Sequence, residues 1–364
     1  MHTGNKVYEA LKLLRPYDID LKKIRLGSRY DGGYVMVDNM TPDQVVLSYG
    51  LGGEISFDAE MANRGHQCYM FDHTIQGLPM THPNFHYYAE GVAGSNRSEK
   101  PFYTVEEHLE RFSIRGNRLI LKMDVEGAEW DAMSRMPDAV LARFEQVAIE
   151  MHEFGSMREA AFLEKVRATL ERLNRHFTLY HVHANNNNPM ESVAGFPVFN
   201  LLELSYVKTA IVKRSPSRTF YPTDLDSPNE QDRPDYILSA FPFWPEGLTE
   251  AEYDAFARKM DAQNEAIAAS MRLIRESGGH VKAAEIDRAE ACLREALELR
   301  PGLNAALVEM VNVLNSKAVS RFNAQDFVAA VAALREALEI VPHHPDIKRN
   351  LDVALSAQAA STQR

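Results

Sequence analysis

Cysteine is scarce. Only Cys68 and Cys292 occur in 364 residues, far apart in the chain. A disulfide scaffold and a cysteine zinc cluster are thereby excluded, and a reducing compartment fits. No apolar stretch approaches the roughly 18 residues that a spanning helix requires. Met1 to Lys6 is polar, and neither a secretory leader nor a lipidation motif is visible. The expectation is a soluble, cytoplasmic protein. Basic residues are in the minority, 40 Lys and Arg against 51 Asp and Glu, for a net charge of -11. A broad nucleic-acid or anionic-membrane footprint is therefore not expected. No Gly-x-x-x-x-Gly-Lys-Ser/Thr loop is present, which disfavours nucleotide hydrolysis.

What is present is ordinary globular material. Hydrophobic residues make up 45% and charged residues 25%, so a disordered or fibrous chain is ruled out. The length predicts two domains. Over the first 213 residues, short apolar runs alternate with amphipathic stretches. Val45 to Ser48, Gln67 to Phe71, Phe85 to Tyr88, Leu119 to Met123 and Gln146 to Met151 read as buried strands. Ile55 to Arg64, Val105 to Arg111, Trp130 to Met136 and Met157 to Leu173 read as the intervening helices. This alternation predicts an α/β domain with a mostly parallel sheet covered on both faces. Phe177 to Ala184 and Val198 to Lys208 read as an antiparallel pair at its edge.

Residues 214–248 are rich in proline and aromatics, and they read as a connecting segment draped over the first domain. Residues 249–364 are helical and Ala-rich. Leu293-Arg294-Glu295-Ala296-Leu297-Glu298 recurs as Leu334-Arg335-Glu336-Ala337-Leu338-Glu339, an offset of 334 − 293 = 41 residues. Each copy is followed by a proline, Pro301 and Pro342. This is similar to tetratricopeptide repeats, whose period is about 34 residues. The excess of about 7 equals two helical turns and keeps the buried face in phase. The lengthened helix is predicted at Leu303 to Phe322. His343 and His344 lie between prolines, so a turn is expected there rather than a ligand pair. Such repeats build a surface for a protein partner or for self-association.

Two stretches carry chemistry. Val45-Val46-Leu47-Ser48-Tyr49-Gly50-Leu51-Gly52-Gly53-Glu54 is a strand running into a glycine turn ahead of a helix. The next strand ends at Asp72, and 72 − 50 = 22 residues, the spacing at which an acid meets ribose hydroxyls. The third glycine of the dinucleotide fingerprint is missing, because Ile55 stands there. The Asp31-Gly32-Gly33 loop reads by itself as a hairpin turn. The second stretch, Leu119 to Trp130, delivers Asp124 at the carboxyl end of a strand, where open α/β sheets bind ligands. Glu126 and Glu129 follow, and Glu129 sits near the positive end of a helix. In the next strand Glu150 and His152 share a face by period-two alternation. His181, His183 and Asn185 share a face of a later strand, and His181 reads as a core residue. Carboxylates and imidazoles thus converge from several strand ends, a set suited to a divalent cation or to removing a proton.

Five stretches in order carry a resemblance. They are Asp31-Gly32-Gly33-Tyr34-Val35-Met36, Ser48-Tyr49-Gly50-Leu51-Gly52-Gly53-Glu54, Phe71-Asp72-His73-Thr74, Leu121 to Trp130 and Glu150-Met151-His152. Over roughly residues 20–210 the chain resembles the FkbM-type and methyltransferase-like class I S-adenosylmethionine-dependent methyltransferases. The resemblance implies a seven-stranded Rossmann-like sheet, S-adenosylmethionine as cofactor, and methylation of oxygen on a sugar, glycan or natural product. It implies cofactor contacts by Gly50, Gly52, Gly53 and Asp72. Many methyltransferases have an acid two positions before the first glycine. Here that position is Ser48, which leaves the cofactor's amino group to Ser48 or to Glu54. Asp124, His152 and Glu126 are the candidate catalytic residues. Asp124 and His152, with Glu150 or His183, are the candidate ligands of Mg, Mn or Zn, and without metal His152 is the candidate base. Two other readings share this layout. One is a catalytically silent scaffold that binds partners through its repeats. The other is a nicotinamide-dependent oxidoreductase, which the missing third glycine disfavours.

Overall fold

A computed structural model describes residues 3–95, 101–342 and 344–362. His343 lies outside the described residues. The chain divides into two compact units, residues 1–230 with 235–253, and residues 231–234 with 254–364.

Seven strands form the main sheet of the first unit. They are β1 Val45–Tyr49, β2 Gln67–Phe71, β3 Phe85–Tyr88, β4 Leu119–Met123, β5 Phe144–Met151, β6 Phe177–Ala184 and β7 Leu202–Lys208. Their spatial order is β6-β7-β5-β4-β1-β2-β3. The pairs β1–β2, β1–β4, β2–β3 and β4–β5 are parallel, whereas β7 runs antiparallel to β5 and β6. The order reverses between β1 and β4, which opens a crevice at their carboxyl ends. The mostly parallel sheet with antiparallel members is therefore as predicted.

The strands are apolar on both sides because both sides are covered. Leu47, Leu121, Val147 and Ile149 face one buried cluster, while Val46, Ile120 and Ala148 face another. Each such Val, Leu or Ile side chain contributes about 1.5–3 kcal/mol on burial. The helices of this unit are α1 Thr3–Lys12, α2 Ser56–Asn63, α3 Val105–Arg111, α4 Glu129–Arg135, α5 Asp138–Leu141 and α6 Ala160–His176. Helix α2 supplies Phe57 and Met61 to the second cluster. Helix α6 supplies Leu163, Val166, Leu170 and Leu173, at helical spacing, to the first. Helix α3 starts at a capping box: Thr104 Oγ1 accepts from the Glu107 amide at 3.1 Å, and Glu107 Oε2 accepts from the Thr104 amide at 2.7 Å.

Two segments depart from the periodicity reading. The helix predicted from Met157 is split into a short 3-10 helix, Phe154–Arg158, and α6, with Glu159 extended between them. The stretch Val198 to Lys208 is also split. Phe196–Phe199 pairs with Met190–Val193 in a separate hairpin, and β7 begins only at Leu202. Asn200 explains both breaks, since its carbonyl accepts from Phe154 N and its side chain from Gly155 N. That tie holds the 3-10 turn and diverts the strand.

A small hairpin, Lys23–Leu26 with Tyr34–Val37, carries the Asp31-Gly32-Gly33 loop. Gln146 of β5 anchors it, accepting from Val37 N at 2.8 Å and donating to Val37 O at 3.0 Å. The proline- and aromatic-rich segment adds Tyr221, Leu238 and Phe243 to the first unit's core.

The second unit holds most of α7 Glu250–Lys282, then α8 Ile286–Leu299, α9 Asn304–Asn323, α10 Phe327–Ile340 and α11 Pro345–Thr362. The 41-residue offset extends to whole elements: 327 − 286 and 345 − 304 are both 41. Leu293 and Ala296 of α8, and Leu334 and Ala337 of α10, are buried in one core. Among the described residues no helix is long and apolar enough to cross a membrane.

Candidate active site

The glycine turn follows β1 directly. Gly50 has φ 75°, and a Cβ there would lie 1.5 Å from the carbonyl oxygen of Asp124, so the close approach of β1 to β4 requires glycine. A Cβ on Gly52 or Gly53 would meet nothing within 4 Å, so this backbone is open. Asp72, at the end of β2, secures the turn. Its Oδ2 accepts from Leu51 N at 2.8 Å and Gly52 N at 2.9 Å. Its Oδ1 accepts from Thr74 N at 2.7 Å and Thr74 Oγ1 at 2.6 Å. Burial raises the Asp72 carboxyl, but the Thr74 hydroxyl and the amides outweigh it and hold it below the usual range.

Gly50, Gly52, Gly53, Glu54 and Asp72 line one cavity of about 370 Å³, within the size range of small-molecule sites. Ser48 does not line it. It is buried in β1 opposite Lys122, and its hydroxyl has no hydrogen-bond partner. Asp31 and Tyr34 from the hairpin, Asp58 from α2 and Lys122 from β4 complete the wall toward Asp124.

Asp124 ends β4. His152 follows β5 and points its Nε2 at Asp124 Oδ1, 3.9 Å away, and at Glu126 Oε2, 3.4 Å away. The other ring nitrogen is held by Glu129, whose Oε1 lies 3.0 Å from His152 Nδ1 and accepts from His152 N at 2.8 Å. Glu129 Oε2 accepts from Gly127 N at 2.8 Å, so one buried carboxylate ties the start of α4 to the end of β5. Trp130 Nε1 donates to His152 O at 2.7 Å and completes the clamp. Burial disfavours charge on His152, yet Glu129, Asp124 and Glu126 raise its pKa above the ordinary value. Glu126 is different: its side chain is 87% exposed and its backbone is left-handed, φ 52°.

Glu150 lies behind this group, with Oε1 accepting from Asn185 Nδ2 at 2.8 Å. Burial, then the charges of Asp124 and Glu203, hold its carboxyl well above the usual range. One ligand atom each from Asp124, Glu150 and His152 come within 4.8 Å of one another. These residues line a second cavity of about 170 Å³. Asp31, Asp124 and Glu126 line both cavities.

His183 is not brought into this group. Its Nδ1 is 3.1 Å from Glu203 Oε2 and its Nε2 3.0 Å from Asp235 Oδ2. Burial works against its charge, but Asp235 and Glu203 overcome that and raise its pKa well above normal. His181 pairs with Asp226 at 2.8 Å and is buried. The motif reading missed Asp58, Lys122 and the pairing role of Glu129. Only Glu129 had a signal, its place at a helix start beside Asp124.

Residues 37–177 match the family model described as the Methyltransferase FkbM domain. No curated protein and no solved structure matches the chain. The matched segment runs from the end of the hairpin through β1 to β5 and contains the glycine turn, Asp72, Asp124, Glu150 and His152. With the strand order found for the sheet and the open crevice at β1 and β4, residues 37–177 form a methyltransferase domain of the FkbM family.

Proposed function

We propose that the protein is an S-adenosylmethionine-dependent O-methyltransferase acting on a hydroxyl of a sugar, glycan or natural product. The observation that carries this reading is the meeting of two cavities at Asp124. One holds the glycine turn and Asp72, the other holds Glu150, His152 and Asn185. The first suits a nucleoside-bearing cofactor. Asp72 offers acceptor oxygens to ribose hydroxyls, and the bare backbone of Gly52 and Gly53 permits close approach. The second is lined by carboxylates, amides and one imidazole. Among its described lining residues there is no Lys or Arg, which favours a neutral polyhydroxylated acceptor over a phosphorylated one.

When bound, S-adenosylmethionine supplies an electrophilic methyl carbon for displacement by the acceptor oxygen. The chain's own residues must align that oxygen and remove its proton. Glu129 fixes the His152 ring through Nδ1, which leaves Nε2 to take the proton at the rim shared with Asp124 and Glu126. Asp124, Glu150 and His152 are also the residues that would hold a divalent cation, Mg, Mn or Zn, which would polarise the hydroxyl. The raised Glu150 carboxyl supports a seat for positive charge, since a cation there would relieve three neighbouring carboxylates. We assign the second unit to a protein partner or self-association. Its repeated helices leave Val319, Val328 and Val353 exposed.

Titration calorimetry with S-adenosylmethionine, S-adenosylhomocysteine and NAD tests the cofactor. Binding of NAD alone would overturn the reading, and cofactor binding without turnover on any hydroxylated acceptor would favour the silent scaffold. Asp124→Asn tests the cation: metal content and methyl transfer should fall together. An active, metal-free, chelator-insensitive wild type would remove the cation and leave His152 as the base.

A further inference from the structure

Asp58 has no role in the chemistry above, yet it lines the glycine-turn cavity. It projects from the buried face of α2, between Phe57 and Met61, and is 1% exposed. Its Oδ1 has no hydrogen-bond partner, and neither has the Ser48 hydroxyl, which is 0% exposed. Among the described residues lining the same cavity the one buried cation is Lys122, and its ammonium is directed elsewhere. It donates to the carbonyl of Gly50 and lies 3.8 Å from Asp124 Oδ2. Burial pushes the Asp58 carboxyl up to about 6, with the Lys122 charge, the nearby Ser48 hydroxyl and its own backbone amide pulling the other way without offsetting it. A buried carboxylate oxygen left without a partner is unfavourable unless a ligand supplies a donor.

The cofactor proposed above carries two positive centres. Its sulfonium must face the acceptor pocket at Asp124 and His152, and its ribose belongs at Asp72. The α-ammonium of the methionine moiety remains, and it is a donor and a cation together. We propose that Asp58 is the residue that binds the α-ammonium of the cofactor's methionine end, in place of the acid that Ser48 lacks. A charge-assisted hydrogen bond in a buried site then discriminates ligands that have the ammonium from those that do not. This inference rests on the S-adenosylmethionine reading.

The test compares three probes in titration calorimetry: S-adenosylhomocysteine, its desamino analogue, and 5′-methylthioadenosine, which lacks the whole amino-acid end. Asp58→Asn keeps the shape and removes the charge. It should weaken S-adenosylhomocysteine about tenfold or more and leave 5′-methylthioadenosine within about twofold. Wild type should bind the desamino analogue about tenfold more weakly than S-adenosylhomocysteine, and the variant should no longer distinguish them. If the variant weakens all three probes equally, Asp58 only shapes the pocket and the proposal is wrong. If it weakens none, the proposal is also wrong. Should the variant fail to fold, equal affinity of wild type for the two longer probes overturns the proposal, and the tenfold preference supports it. Wild type that binds no adenosyl compound at all overturns the cofactor reading itself.

Discussion

Asp72 already accepts hydrogen bonds at both oxygens, from Leu51, Gly52 and Thr74. It therefore shapes the glycine turn as well as presenting acceptors to the cavity. Asp72→Ala removes both contributions, and cofactor binding should weaken by about 1–3 kcal/mol, the cost of losing a buried partner. Titration calorimetry with S-adenosylhomocysteine gives the number, and unchanged affinity would contradict the ribose assignment. The contrast with His183 is instructive. Both residues looked like ligand-binding groups, but the His183 ring is enclosed by Glu203 and Asp235, 20 and 52 residues away in sequence. No local pattern announces such partners. Glu129 and His152, 23 residues apart, are joined in the same way.

Helix α3 carries a pH-sensitive contact into the core. Its His108 is fully buried, 3.1 Å from Tyr49 Oη at Nδ1 and 3.2 Å from Glu90 Oε2 at Nε2. Burial lowers its pKa to about 4, although Glu90 opposes this. The unfolded chain, with His near 6.5, takes up the proton first. Stability is then full above about pH 6.5, falls as pH drops toward 4, and levels off below that, a change of about 3 kcal/mol at most. Thermal melts from pH 7.5 to 4.5 should show a steeper loss for wild type than for His108→Gln. Parallel curves would mean that His108 does not govern the slope. The same helix was legible in sequence as the amphipathic stretch Val105 to Arg111, with Val105 and Leu109 on its buried face. Its effect on stability was not, because that depends on the aromatic rings of Tyr49 and Phe71 packed around the imidazole.

Across the whole molecule, every residue assigned to the cofactor or to proton removal lies in the first unit. The second unit has its own buried core, built around Leu293, Leu314 and Leu334. A chain ending after residue 253 should therefore keep its affinity for S-adenosylmethionine, while losing partner binding or self-association. Calorimetry and the solution mass of the truncated protein measure the two effects. A folded truncation without cofactor affinity would place part of the pocket in the helices and refute this division of labour.

Periodicity and spacing in the sequence determined the sheet, its covering helices and the helical second half. Burial on both faces forces continuous apolar runs, and single-sided burial forces the 3.6-residue pattern. The glycine turn, the acid 22 residues later and the acid at the end of β4 were readable for the same reason, since each is bound to a strand end. Tertiary structure alone decided which polar groups meet. It buried Asp58 near the Ser48 hydroxyl, joined Glu129 to His152, and withdrew His183 behind two carboxylates from later in the chain. Strand order and the return of a distant segment set those encounters, and neither leaves a trace in local sequence.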